Sequence, residues 1–503
     1  MKKVLILLLL ISPFSLSAQK AIDAAKRHFE ENGAKVLREY RQLLELPNVT
    51  GNNEALRKNA VWIQEALERR GIETELLEAE NAAPVVYGAL KTPGAKRTLG
   101  VYVHYDGQPV DTTQWRQSPW LPTLYTGSIE EGARPREFPK DDERLNPEWR
   151  IYARSAADDK APIISVLATL DALKKEEIPL RSNLVFFFEG EEESGSRNLK
   201  VFLENHQSKF DVDVWLIFDG PSHQSRRPQL VFGVRGSTGL EITVYGANRY
   251  LHSGHYGNWA PNAAMRLSQL LASMKDESGK VLIEGFYDSA APIERAVKQA
   301  VASSPPFEEA LRKELGLAET EFDNAAYLDQ MLIPALEIRG IESAKVGALA
   351  RNVIPPTATA SVNVRLVKGN VPTHMLDLVE AHIRKQGYHI VYEEPSQEIR
   401  IKHRKIVKVR RQGGSPGFRT SMELPAVQRI IAQARSVAGD NLVLTPTMGG
   451  TLPLYLFEEK FGKPIIITPI ANHDNNQHGP NENLRLGNLR YGMMLMAAIF
   501  SQD

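Results

Sequence analysis

Asn183-Leu184-Val185-Phe186-Phe187-Phe188-Glu189-Gly190-Glu191-Glu192-Glu193 is an apolar run that stops abruptly in acid. Consecutive apolar side chains point to both faces of a strand, so both faces must be covered, as in the interior of a parallel sheet. The run therefore predicts a central strand over 183–188 that delivers carboxylates at its carboxyl end, followed by a helix over 194–205. Three other segments repeat the pattern. Thr98 to His104 reads as a strand that ends on a histidine, with Asp106 two residues on. Val214 to Phe218 is a buried strand leading into Asp219, and Ile465 to Thr468 is another a short distance before His478.

Helical patterns alternate with these strands. Residues 21–46 and 53–70 carry apolar positions at helical spacing, among them Val36, Leu37, Tyr40, Leu43 and Leu44. Asp158 precedes Pro162 and a stripe of Ile163, Val166, Leu167, Leu170 and Leu173, one face of a helix. Such alternation predicts an α/β domain with a mostly parallel sheet flanked by helices. Functional groups in such sheets gather beyond the carboxyl ends of the strands. His104, Glu192, Glu193 and Asp219 all fall there.

The middle of the chain changes period. Gly236 to Tyr245 and Ala358 to Val367 alternate like half-buried antiparallel strands, with helical segments near 262–274 and 375–386. This predicts a smaller α+β domain inserted at 235–418, leaving 19–234 and 419–503 as one discontinuous domain. A chain of 503 residues is too long for a single ordinary core. The segment Gln117–Arg150, rich in proline and charge, is a connection long enough to be functional or poorly ordered.

Lys plus Arg and Asp plus Glu each number 61, which argues against a nucleic-acid partner. Arg400 to Arg411 is locally basic and reads as a charged, solvated strand or sheet edge. Lys2, Lys3, the apolar run Val4–Ile11 and the small-residue exit to Ala18 have the form of a bacterial-type secretory signal peptide, residues 1–18. The run is too short to span a bilayer, so the expectation is an exported protein, periplasmic or secreted, without a membrane span. There is no cysteine, and so neither a disulfide nor a lipid attached through one.

Two histidines and several spaced carboxylates suit a pair of divalent cations, with one glutamate left over to handle protons. Singly, each position has a plainer reading: His104 as a hydrogen-bonded strand-end histidine, Glu191–Glu193 as the acidic first turn of a helix. Their number and order favour a two-metal hydrolase. His473 competes with His478 as the last ligand, and His255 lies three residues after His252.

Tyr102-Val103-His104-Tyr105-Asp106, Ala157-Asp158-Asp159-Lys160, Glu191-Glu192-Glu193-Ser194-Gly195-Ser196 and Leu251-His252-Ser253-Gly254 resemble, in order, the dizinc metallopeptidase family of carnosinase, carboxypeptidase G, aminoacylase and succinyl-diaminopimelate desuccinylase. The wording is nearest the carnosinase-like branch. Ala153, Ser155 and Ala161 depart from the family's usual glycines, and Tyr250 from an acidic residue. The resemblance implies that Asp158 bridges two metal ions, with His104 and Asp219 completing one site and Glu193 and His478 the other. The pattern His478-x-x-Asn481-Glu482 selects His478 over His473. It further implies Asp106 as the carboxylate that orients His104, Glu192 as general base, and a cis peptide between Asp158 and Asp159. The inserted domain would be a lid that pairs two chains, with His252 reaching the neighbour's site in a homodimer. Asn352, Arg365, Gly450 and Thr451 resemble positions that contact substrate, Arg365 with the glycine-rich segment holding a terminal carboxylate.

The reaction so implied is hydrolysis of dipeptides or short peptides with a free C-terminus. Two cations would acidify a water between them and polarise the scissile carbonyl, while Glu192 moves the proton. Zinc fits imidazoles among carboxylates best, with manganese and cobalt as alternatives. N-acyl amino acid deacylation uses the same chemistry on a different acyl group. A metal-stabilised binding protein without catalysis is the reading of another class, and an unligated Glu192 argues against it.

Overall fold

The structure is a computed structural model that describes residues 13–450 and 452–502, with side chains from 18 onward. The segment 1–12, most of the expected signal peptide, lies outside the described residues, as does Thr451. No helix among the described residues is long and apolar enough to cross a membrane.

An eight-stranded mixed sheet forms the main layer. Its strands run in the order Glu73–Leu77, Val85–Leu90, Asn183–Glu189, Thr98–His104, Val214–Ile217, Ile465–Ile467, Gln229–Val231 and Val443–Thr445. Thr98–His104 lies parallel to both neighbours, with His104 opposite Glu189 and Tyr102 opposite Ile217. Both faces are covered, and the period of two in each strand divides its side chains between two cores. Leu184, Phe186 and Phe188 join one core, while Val185 and Phe187 join the other. The helices Pro13–Leu44, Lys160–Lys175 and Leu486–Phe500 pack together over the first face. Leu199–Asn205 and Tyr455–Phe461 pack over the second. Gly100 faces Trp215 across the ladder, and a Cβ there would lie 2.4 Å from the indole. Only glycine admits that ring between the central strands.

The expected helix over 194–205 begins later. Glu192–Ser194 forms a single tight turn, and Gly195 and Ser196 have φ of +84° and +50°, so the α-helix starts at Leu199. Left-handed residues end a right-handed turn. This break keeps Glu192 and Glu193 on a loop at the strand end.

The second sheet draws its strands from Gly236 to Ser415, in the order Ala335–Glu342, Thr357–Leu366, Gly236–Tyr245, Ile406–Ser415 and His389–Val391. Ala263–Ala272 and Pro372–Lys385 cover one face, around Leu240, Val362, Val364, Val379 and Val407. The basic stretch enters Ile406–Ser415, an inner strand rather than an edge, where Arg411 contacts Glu380 and Asp377, each at 2.7 Å. The long segment from Gln117 is ordered. Thr123–Tyr125 and Pro135–Arg136 pair with Arg150–Tyr152, which pairs in turn with Asn483–Arg485.

Candidate metal centre

Four loops meet beyond the carboxyl ends of the central strands. His104 closes its strand, and Asp219 follows Ile217 by two residues. Asp158 and Asp159 sit at the start of the helix Lys160–Lys175, joined by a cis peptide. One ligand atom from each of His104, Asp159 and Asp219 lies within 4.8 Å of the others. The same holds for Asp158, Glu193 and His478. Asp158 spans the two groups. Its Oδ1 is 2.9 Å from His104 Nε2, and its Oδ2 is 3.1 Å from His478 Nε2. His473 belongs to neither group, nor do His252 and His255.

The loops are held by carboxylates that face backbone amides. Glu482 is fully buried; its Oε1 accepts from the N–H groups of Ala157 and Asp158, both at 2.9 Å. Its Oε2 accepts from Ser155 N–H at 3.0 Å and from the Arg154 guanidinium at 2.7 Å. Asp106 approaches His104 Nδ1 at 3.4 Å, and its two oxygens also accept from the amides of Glu192 and Glu193. Gln108 donates to Glu193 at 2.7 Å. The His478 loop is pinned by Arg150, whose guanidinium reaches Asp474 at 2.6 Å and Asn483 at 3.0 Å. His478 itself has φ +63°, a strained value for a residue with a Cβ.

The electrostatics of the cluster call for cations. Burial pushes Asp219 up to about 7, with repulsion from Asp158 and Glu193 adding to it and His104 opposing. Burial likewise raises Glu192 well above the ordinary carboxylate range, with Asp219 and Glu193 reinforcing it. Hydrogen bonds to Asp158 and Glu193 push His478 up to about 10. Asp158 Oδ2 is buried, with the His478 ring 3.1 Å away. Carboxylates crowded around two imidazoles, His104 buried and His478 exposed, match the donor set of divalent ions that take N and O ligands. Glu192 stands in neither ligand group although Glu193 beside it does.

The expected substrate positions lie outside these two groups. Arg365 is half-buried on Thr357–Leu366, opposite Ser237 and Ala335 in register. Gly450 is exposed at the end of the Met448-Gly449-Gly450 loop. His252 and Asn352 are both exposed and share one ribbon: Leu251–His252 pairs with Val353–Ile354, and Ser253 N–H donates to Asn352 O at 2.9 Å. Asp159, Glu482 and Gln108 are the residues that sequence reasoning missed. The first two stood in the quoted Asp-Asp and Asn-Glu motifs; Gln108 carried no signal.

An imidazole–carboxylate centre at the carboxyl ends of a mixed sheet, buried at His104 and open at His478, has the donor set of a metal-dependent enzyme. The model of Peptidase family M20/M25/M40 matches residues 100–502, and the chain belongs to that family. It is a metallopeptidase. Among curated relatives, Cys-Gly metallodipeptidase DUG1 of Candida albicans is 28% identical over 414 residues, covering 80% of this chain and 78% of that one. Beta-Ala-His dipeptidase of Homo sapiens is 27% identical over 429 residues, covering 83% and 77%. Among solved structures, the M20 family metallo-carboxypeptidase Sso-CP2 from Sulfolobus solfataricus superposes with TM-score 0.72 at 25% identity, covering 93% of this chain and 98% of that one. Human carnosine dipeptidase 1 shares the fold, with TM-score 0.63 at 21% identity, covering 97% and 98%.

Proposed function

We propose that this metallopeptidase hydrolyses dipeptides and other short peptides with a free C-terminal carboxylate, outside the cytoplasm, as a homodimer holding two divalent metal ions per chain. In this reading 19–234 with 419–503 is the catalytic part and 235–418 the lid. The observation that carries it is the placement of Asp158 between His104 and His478, with Glu192 outside both ligand groups. The names of the relatives, a Cys-Gly metallodipeptidase and a Beta-Ala-His dipeptidase, support short peptides as substrates.

His104, Asp158, Asp219, Glu193 and His478 would hold the ions, with Asp159 beside the first of them. Bound there, two divalent cations supply Lewis acidity to the scissile carbonyl and the attacking water, zinc suiting the donors best and manganese or cobalt serving as alternatives. Glu192 takes the proton of the attacking water on its carboxylate and returns it to the leaving amine nitrogen. Arg365, with the Gly450–Thr451 loop, clamps the substrate carboxylate through paired charge-assisted hydrogen bonds. His252 reaches the site of the partner subunit, where it donates to the developing oxyanion, and Asn352 beside it contacts substrate. Their exposure on one ribbon supports that reach, as does the exposed strand Ala335–Glu342, which carries Ile338 and Ile341 at 42% and 61% exposure.

The test is a substrate panel of free dipeptides, C-terminally amidated dipeptides and N-acetyl amino acids, each with zinc, manganese or cobalt. Turnover confined to free dipeptides is the expected result; turnover confined to N-acetyl amino acids would make the protein a deacylase. Sedimentation analysis tests the homodimer, and N-terminal sequencing of protein recovered outside the cytoplasm tests removal of residues 1–18.

A further inference from the structure

His478 differs from the other expected ligands in what holds it. His104, Glu193 and Asp219 stand at or just beyond strands of the main sheet, and Asp158 just before the helix Lys160–Lys175. His478 instead projects from the loop between Ile465–Ile467 and Asn483–Arg485. Asn476, His478 and Asn481 of that loop have φ of +57°, +63° and +59°. Left-handed backbone is unfavourable for any residue with a Cβ, asparagine least. Three such residues so close together keep their shape only when the surroundings impose it.

Part of that constraint comes from the long segment ahead of Arg150. Arg116 N–H donates to Asn481 Oδ1 at 2.9 Å, and Asn476 Nδ2 donates to Glu130 Oε1 at 3.1 Å. The loop is thus gripped on both sides of His478.

Glu130 is itself fixed. Ser128 Oγ donates to its other oxygen at 2.6 Å. The turn Ile129–Glu131 is anchored where Ile129 N–H donates to the Tyr152 hydroxyl at 3.0 Å. Tyr125, Ile129 and Tyr152 pack into a small core of their own. Thr123–Tyr125 pairs with Arg150–Tyr152, and that strand with Asn483–Arg485, into which the His478 loop runs. One four-stranded sheet therefore carries both the exit of the loop and the turn that grips Asn476.

We propose that the segment 116–136 is a brace for His478, and that Glu130 is a positioning residue that acts through Asn476 to retain the ion held by Glu193 and His478. This rests on the two-ion reading above and deepens it. The long connection sets the affinity of one ion, while the ion at His104 and Asp219 depends on the main sheet.

The experiment counts ions rather than turnover. Full-length protein is loaded with zinc and equilibrated in graded zinc–chelator buffers, and the zinc retained per chain is measured. Glu130→Ala should release one ion at about tenfold higher free zinc than the parent does, and hold the other as before. Glu130→Gln keeps an oxygen for Asn476 and should follow the parent. Asn476→Gly removes the same contact from the other side, tolerates the positive φ, and should repeat the loss. In a His478→Ala background Glu130→Ala should change nothing further, because its effect passes through the imidazole. Weakening of both ions, of neither, or a further loss in the His478→Ala background overturns the brace. A parent that retains only one ion ends the two-ion reading; the brace then stands or falls on whether Glu130→Ala weakens that ion and Glu130→Gln does not.

Discussion

Asp106 Oδ1 accepts a hydrogen bond from the backbone N–H of Glu192 at 3.2 Å. Its other oxygen takes the N–H of Glu193 at 3.1 Å, while the carboxylate also borders the His104 ring. One buried side chain thus sets the distance between the proposed base and ligands on two different strands. Asparagine would keep the shape but turn an N–H donor towards an N–H donor. Asp106→Asn should weaken metal binding by about 10- to 100-fold and lower kcat as well. Unchanged metal affinity, measured by competition with a chromophoric chelator, would leave Asp106 without the positioning role.

Glu192→Ala should lower kcat by about 10²- to 10⁴-fold, the usual contribution of a general base, with metal content unaltered. Elemental analysis of the purified variant decides the role. Loss of an ion would make Glu192 a ligand.

Metal binding should release protons. With no metal bound, Asp158 and then Glu193 beside its ring push His478 up to about 10, and burial pushes Asp219 up to about 7. At neutral pH His478 therefore holds a proton that a ligand must lose, and burial favours a proton on Asp219 as well. The sign follows: apparent affinity rises with pH, by about tenfold per unit for each proton released below its pKa. Calorimetric titrations in buffers of different ionisation enthalpy count the protons; a buffer-independent enthalpy would contradict the prediction.

Mixing inactive Glu192→Ala with inactive His252→Ala should restore activity, since each heterodimer would contain one site with both groups intact. No recovery after confirmed subunit exchange would return His252 to its own chain.

Arg365→Ala should reduce kcat/KM on free dipeptides by about thirtyfold or more, the cost of leaving a carboxylate without its partner, and change little for amidated ones. Equal wild-type rates on free and amidated dipeptides would dispose of the carboxylate clamp.

The strands that position the centre were legible because burial on both faces leaves a continuous apolar run, as in Asn183–Phe188, and each run ends where chemistry begins. His104, Asp158, Glu193, Asp219 and His478 could be picked out because each sits in a short motif at such an end. The break at Gly195 and Ser196 was not legible: helical spacing continues through it, and the turn is held by amides of Glu192 and Glu193 donating to the distant Asp106, with Asn198 donating to Glu191. Glu482 was visible as a letter in a motif, but not as the acceptor for the amides around Asp158, because that role depends on residues more than 300 positions away.

The chain passes between the two sheets twice, at Gly233–Val234 and Phe418–Arg419, and the two crossings pair antiparallel as one ribbon. A Cβ at Gly233 would lie 2.3 Å from Phe418 O, and one at Gly236 would lie 2.3 Å from Ser415 O, so the crossings run backbone against backbone. A bulky side chain at Gly233 or Gly236 would wedge the two crossings apart, so the junction of the two sheets would be disturbed by a change that touches none of the metal-binding side chains.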